Sequence, residues 1–200
     1  MNKFYKDKQQ IINWLKNYEF KSYTLVPDEK YRFVIDVSGN VNLSDKDLIN
    51  IPVKFNKING DFNCSDNQLT SLEFCPETVS GSFWCSNNKL KSLEFCPETV
   101  NGSFDCSYNK LTSLEFCPER VGGGFWCSHN KLTSLDFCPQ EVVGGNFYCN
   151  GNKKLKQIQE ITNFKLIYLE HKKILIAKLS DKLENNLIND NSKKSAKIKI

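Results

Sequence analysis

Two hundred residues with a net charge of +4 suit a single domain, and no apolar run reaches the length of a membrane-spanning helix. The opening MNKFYKDKQQ lacks the apolar core of a secretory signal and the nine cysteines are odd in number, so reduced thiols in a cytoplasm are expected rather than a disulfide framework. Charge is uneven: residues 1–150 carry a net −3, whereas residues 151–200 hold 12 lysines against 5 acids.

In chain order, residues 5–18 place Ile11, Trp14, Leu15 and Tyr18 on one helical face. Two strand-like runs follow, SYTLV and YRFVIDV, with a turn expected at Pro27-Asp28. Residues 1–40 are too few to bury a core of their own and read as an N-terminal cap on what comes next.

From Val41 the chain repeats itself. Units run Phe62–Ser82, Phe83–Ser103 and Phe104–Gly124, each 21 residues long. Phe125–Asn146 has one extra residue, placed near Gln140–Val143, and a last partial copy starts at Phe147 with its leucine displaced to Leu155. Upstream, Val41–Asp61 fits the frame without cysteine. The shared text is F-x-C-S-x-N-x-L-x-S-L-E-F-C-P-E-x-V-x-G-x. In F-x-C the Phe and Cys face inward and the residue between them outward. Asn67, Asn88, Asn109, Asn130 and Asn152 stand where the chain turns. Pro97 and the glycines Gly81, Gly102, Gly123 and Gly145 mark the returns.

The order C-S-x-N-x-L-x-S-L at this period resembles the leucine-rich repeats, over roughly residues 34–160. The wording LTSLEFCP, a Gly before each strand and a helix leading into DVSGNVNLS look like the leucine-rich-repeat proteins of bacteriophages and prophages, and the short repeats resemble those of bacterial effectors. One departure is that Val79, Val100 and Val121 lie four residues before Phe. The resemblance implies an α+β solenoid with one short parallel strand per repeat over residues 41–160. Within it the Asn column bonds the backbone of its own and the neighbouring coil. After it, residues 161–200 read as a mainly helical C-terminal cap and basic tail, with Ile167, Ile174, Leu175, Leu179, Leu183 and Leu187 as an apolar stripe. The resemblance brings no catalytic residues and no cofactor, and it points to protein binding.

The cysteines form two columns: Cys64, Cys85, Cys106, Cys127 and Cys149 in the strand, and Cys75, Cys96, Cys117 and Cys138 before proline. Their spacing is that of the repeat, without any Cys-x-x-Cys pair, and Leu43 fills the same slot in the first copy. Core packing is expected, with disulfide or metal as alternatives. Catalysis is not expected. The two histidines are His129 and His171, Cys127 should point away from His129, and no phosphate-cradling motif is present. The column Glu73, Glu94, Glu115 and Asp136 reads as a solvated return face.

Function is expected on the outward column of the sheet, which reads Asn42, Asn63, Trp84, Asp105, Trp126, Tyr148. Two residues past the cysteine come Asp66, Asn87, Tyr108 and His129. Trp84, Asp105, Tyr108, Trp126, His129 and Tyr148 are therefore the candidate protein-binding residues, unless the C-terminal segment folds over them. The leading expectation is a cytoplasmic, non-enzymatic module for a protein partner, in concrete form a phage or prophage inhibitor of a bacterial defence protein such as a CRISPR nuclease. The alternatives are single-stranded nucleic-acid binding through the aromatics and the basic end, and a structural phage-particle component.

Overall fold

The computed structural model describes residues 4–153, 155, 169, 173, 174, 176–180 and 182. Helix α1 spans Lys8–Asn17. It starts three residues later than the apolar pattern suggests because Asp7 is its N-cap, accepting from the N–H groups of Gln9 (2.9 Å) and Gln10 (3.1 Å). Ile11, Trp14 and Leu15 are buried from it. The antiparallel hairpin β1 (Tyr23–Asp28) and β2 (Arg32–Val37) follows. Its turn is not at Pro27-Asp28, which belong to β1. The Asp28 carboxylate accepts from the N–H groups of Lys30 (2.9 Å) and Tyr31 (2.6 Å) and so places the turn after it.

The repeats form a solenoid of stacked parallel strands. β3 (Val41–Asn42), β5 (Phe62–Asn63), β7 (Phe83–Trp84), β9 (Phe104–Asp105), β11 (Phe125–Trp126) and β13 (Phe147–Tyr148) make one six-stranded sheet in consecutive register. The single strand expected per repeat is corrected to two. β4 (Phe55–Ile58), β6 (Thr78–Val79), β8 (Thr99–Val100), β10 (Arg120–Val121) and β12 (Glu141–Val142) extend β1 and β2 into a second, seven-stranded sheet. The valine four residues before each Phe is the reason. It turns inward while its neighbour faces solvent, and the return backbone pairs with its equivalent one coil away, as buried backbone must.

Between the coils runs a Phe stack, Phe62, Phe83, Phe104, Phe125 and Phe147, with ring centroids 5.1–5.7 Å apart. Trp14 and Phe20 bring the N-terminal segment onto Phe55 at 6.3 and 5.8 Å. The Asn column does what the resemblance implies. Asn109 Nδ2 donates to the carbonyls of Cys85 (3.0 Å), Cys106 (3.1 Å) and Ser107 (3.2 Å), and its Oδ1 accepts from Leu90 N–H (3.0 Å). Asn67, Asn88 and Asn130 repeat this, and Asn152 closes the series against Cys127, Cys149 and Leu132.

The nine cysteines are free thiols, those of the strand column all buried. Glycines Gly60, Gly81, Gly102, Gly123 and Gly144 form a ladder in which each N–H donates to the preceding member's carbonyl at 2.8–3.2 Å. Gly144, not Gly145, belongs to that column. The extra residue is therefore Gly145, which takes φ +71°, just past the stretch Gln140–Val143 near which the repeat frame placed it. Of the expected C-terminal cap and basic tail, most lies outside the described residues. Residues 169, 173, 174, 176–180 and 182 are helical, and Ile174 packs on the core. Leu179, expected on the apolar stripe, is exposed. Among the described residues no helix is long and apolar enough to cross a membrane.

Candidate binding cleft on the six-stranded sheet

Trp84, Asp105, Trp126 and Tyr148 occupy one register position on β7, β9, β11 and β13. Phe and Cys on either side of each fill the core, so the residue between them projects outward. Asp105 lies between the two tryptophans in register. It accepts from the Ser107 N–H of its own coil at 2.9 Å, as Asn63 accepts from Ser65 N–H two coils earlier in the same column. Asp105 thus anchors its turn as well as bringing a negative charge to the face.

Beyond the cysteine each coil bends through a left-handed residue. Asp66, Asn87, Tyr108 and His129 have φ between 51° and 56°. Asp and Asn tolerate this region, whereas Tyr and His do so at a cost of about 1–2 kcal/mol. Gly151 continues the column at φ +74°, and a Cβ there would meet His129 Nδ1 at 2.5 Å. The absence of a side chain leaves room for the His129 imidazole, which stacks on Tyr108 with centroids 4.3 Å apart and planes 11° from parallel. Gly124 does the same for Trp126: a Cβ would lie 2.7 Å from the indole, which rests on this bare backbone and parallels Tyr148 at 5.9 Å and 4°.

A cleft of about 550 Å³ opens between these two ring pairs. Asp105, Tyr108, Trp126, His129 and Tyr148 line it, together with Asp66 and Asn87. Five of the six residues expected from the sequence are thereby brought together. Trp84 shares the sheet face but is not part of the lining.

Two features were missed at the level of sequence. Lys89, Lys110 and Lys131 form an exposed column two residues past Asn87, Tyr108 and His129, visible in the repeated N-K-L. Phe95, Phe116 and Phe137 are exposed on the return side, although a recurring apolar residue reads as core. Among the described residues no three His, Cys, Asp or Glu side chains are arranged to hold a metal ion. No protein-family model, curated protein or solved structure matches this chain.

Proposed function

We propose that this chain is a non-enzymatic binding module that takes a protein partner on the sheet face bearing Asp105, Tyr108, Trp126, His129 and Tyr148, with Trp84 at its margin. The cleft carries the reading. Two parallel ring pairs stand beside the carboxylates of Asp66 and Asp105. Aromatic faces next to carboxylates suit the arginine or lysine of a partner, through cation–π and ionic contact together. Rings mounted on paired strands lose little freedom on binding, and Trp and Tyr are the residue types that dominate interface energetics.

The repeats are read as leucine-rich repeats, and residues 1–40 as their N-terminal cap. In its narrowest form the reading makes the partner a bacterial defence protein, such as a CRISPR nuclease, and the chain its phage- or prophage-encoded inhibitor in the cytoplasm. That form rests on the resemblance of the repeats alone. Single-stranded nucleic acid is the second reading, favoured by the lysine column beside Tyr108 and His129, where rings would meet bases and lysines phosphates. Asp66 and Asp105 in the same cleft oppose it.

The test is capture of the partner from bacterial lysate with and without nuclease, followed by affinity measurements at two salt concentrations. Trp126→Ala and Tyr148→Ala should each weaken a protein partner by roughly 30-fold, about 2 kcal/mol, with a shallow salt dependence. A nuclease-sensitive capture, a steep salt dependence and a large loss in the Lys89, Lys110 and Lys131 to Ala variant would instead establish nucleic-acid binding.

A further inference from the structure

On the return side the four cysteine-bearing coils turn at L-E-F-C or, in the last, L-D-F-C. The cysteine N–H donates to the leucine carbonyl: Cys75 to Leu72 (2.8 Å), Cys96 to Leu93 (2.9 Å), Cys117 to Leu114 (3.0 Å) and Cys138 to Leu135 (3.1 Å). Phenylalanine is the third residue of every one of these turns. In the first, Phe74 is partly buried because the chain itself covers it. The Phe4 ring stacks on it at 4.6 Å and 11°, and Tyr31 meets it edge-on at 6.0 Å. In the next three turns the same ring is left to solvent. Phe95, Phe116 and Phe137 are 44, 55 and 65% exposed.

Their backbones carry a second cost. Phe95, Phe116 and Phe137 have φ of 71°, 66° and 64°, the conformation that favours Gly or Asn at this turn position. Either residue would relieve both the strain and the exposed ring. Three bulky rings held against both costs form a hydrophobic row, and exposed apolar rows mark contact surfaces.

Charge defines what the row would accept. Glu94, Glu115 and Asp136 directly precede the rings, and Glu98 and Glu119 follow three residues later, all exposed. At the covered turn the corresponding acid is answered from within the chain. Lys54, only 5% exposed, lies 3.3 Å from the Glu77 carboxylate and donates to the Cys75 carbonyl at 2.9 Å. A groove of about 610 Å³, lined by Tyr31, Lys54, Glu77, Phe95 and Glu98 among others, leads from the covered turn to the first uncovered ring.

We propose that Phe95, Phe116 and Phe137, with Glu94, Glu98, Glu115 and Glu119, form a second docking surface for an extended segment of a partner protein that carries aromatic residues three apart among basic ones. The segment repeats along the row what Phe4 and Lys54 do at its end: rings set on the phenylalanine row and ammonium or guanidinium groups on the flanking acids. Phe95 and Phe137 stand two coil steps apart, roughly 10 Å, which is the length of three residues of extended chain. In a polyproline-II segment, with three residues per turn and a rise of about 3.1 Å, aromatic residues three apart lie on one face and reach both. This surface shares no residue with the cleft on the six-stranded sheet.

The test uses the full chain, isotope-labelled, and the synthetic peptide Lys-Phe-Lys-Lys-Phe-Lys followed by NMR. Saturable shift changes are expected around residues 93–98, 114–119 and 135–140. Binding of the charge-reversed Glu-Phe-Glu-Glu-Phe-Glu should be weaker by about tenfold or more. The double variant Phe116→Asn/Phe137→Asn should lose the shifts while melting no lower than the parent, since Asn suits the turn. No saturable shifts up to millimolar peptide, shifts centred on Trp126 and Tyr148, or equal binding by the double variant would each overturn the proposal. So would self-association of the unliganded chain that the same double variant abolishes, because the row's occupant would then be a second copy.

Discussion

Asn109 shares its amide protons among three carbonyls and accepts from Leu90 N–H, so its loss leaves the Leu90 N–H without its partner, while the carbonyls of Cys85, Cys106 and Ser107 keep a second donor in Asn88, Asn130 and the Asn87 N–H. Asn109→Ala should cost about 1–3 kcal/mol, the cost of one buried group left unpaired. Asn109→Asp should be worse, because a carboxylate would face the carbonyls. Urea unfolding of the two variants orders them. The thiols make a separate prediction. Burial, with neighbouring thiols adding to it, holds Cys85, Cys106 and Cys127 well above the ordinary thiol range, and burial pushes Cys149 to about 11. Above the ordinary value an unfolded chain sheds these protons while the folded chain keeps them. Stability is then complete below about pH 8.5 and falls as pH rises, by up to about 1.4 kcal/mol per unit for each thiol until its folded pKa is reached. Urea midpoints should be level from pH 6 to 8 and drop between pH 9 and 10.5. The drop should shrink in Cys106→Val/Cys127→Val; an equal drop in that variant would assign the alkaline loss to other groups.

At the level of the element, the glycine ladder sets how closely the coils approach. A Cβ on Gly102 would lie 2.6 Å from Ser82 N and 2.7 Å from Gly81 C, both backbone atoms that can yield only by separating two coils. Gly102→Ala should therefore cost about 2–3 kcal/mol, whereas Gly39→Ala, with open space around it, should cost only the strain of its φ of +125°. Thermal melts of the pair distinguish close approach from backbone conformation. The repeat made the ladders legible in advance: identical spacing fixed the inward Phe and Cys, the Asn column and five of the residues that line the cleft, because strand alternation needs only the period. It did not disclose the second sheet. Thr99 and Val100 form a strand of two residues, too short to show a pattern of their own, and pairing with other coils is what makes them one. The hairpin turn was misplaced because Pro27 signals a turn, yet it sits in β1, at the sheet's edge, where a missing N–H costs little. The exposed Phe row was invisible because its orientation depends on a left-handed turn residue, which bulky side chains do not advertise.

Over the whole molecule, stability comes from interfaces between successive coils, and at the N-terminal end helix α1 and the segment after it pack against the first of them. Phe55 is fully buried under Trp14 and Phe20. β2 pairs with β4 through Ile35 N–H to the Lys54 carbonyl and Asn59 N–H to the Val37 carbonyl, both 2.9 Å. Removing residues 1–40 would bare Phe55 and unpair the edge of the seven-stranded sheet, which is both an apolar patch and an open template for association. If this segment acts as a cap, the fragment 41–200 should aggregate or lose its single sharp melting transition. Trp14→Ala, which removes one ring and keeps the pairing, should stay monomeric and lose about 3 kcal/mol. Circular dichroism melts with size-exclusion chromatography on the two proteins provide the comparison. A fragment that remains monomeric and melts as sharply as the parent would place the source of cooperativity wholly inside the coils and leave the helix and hairpin as an appendage.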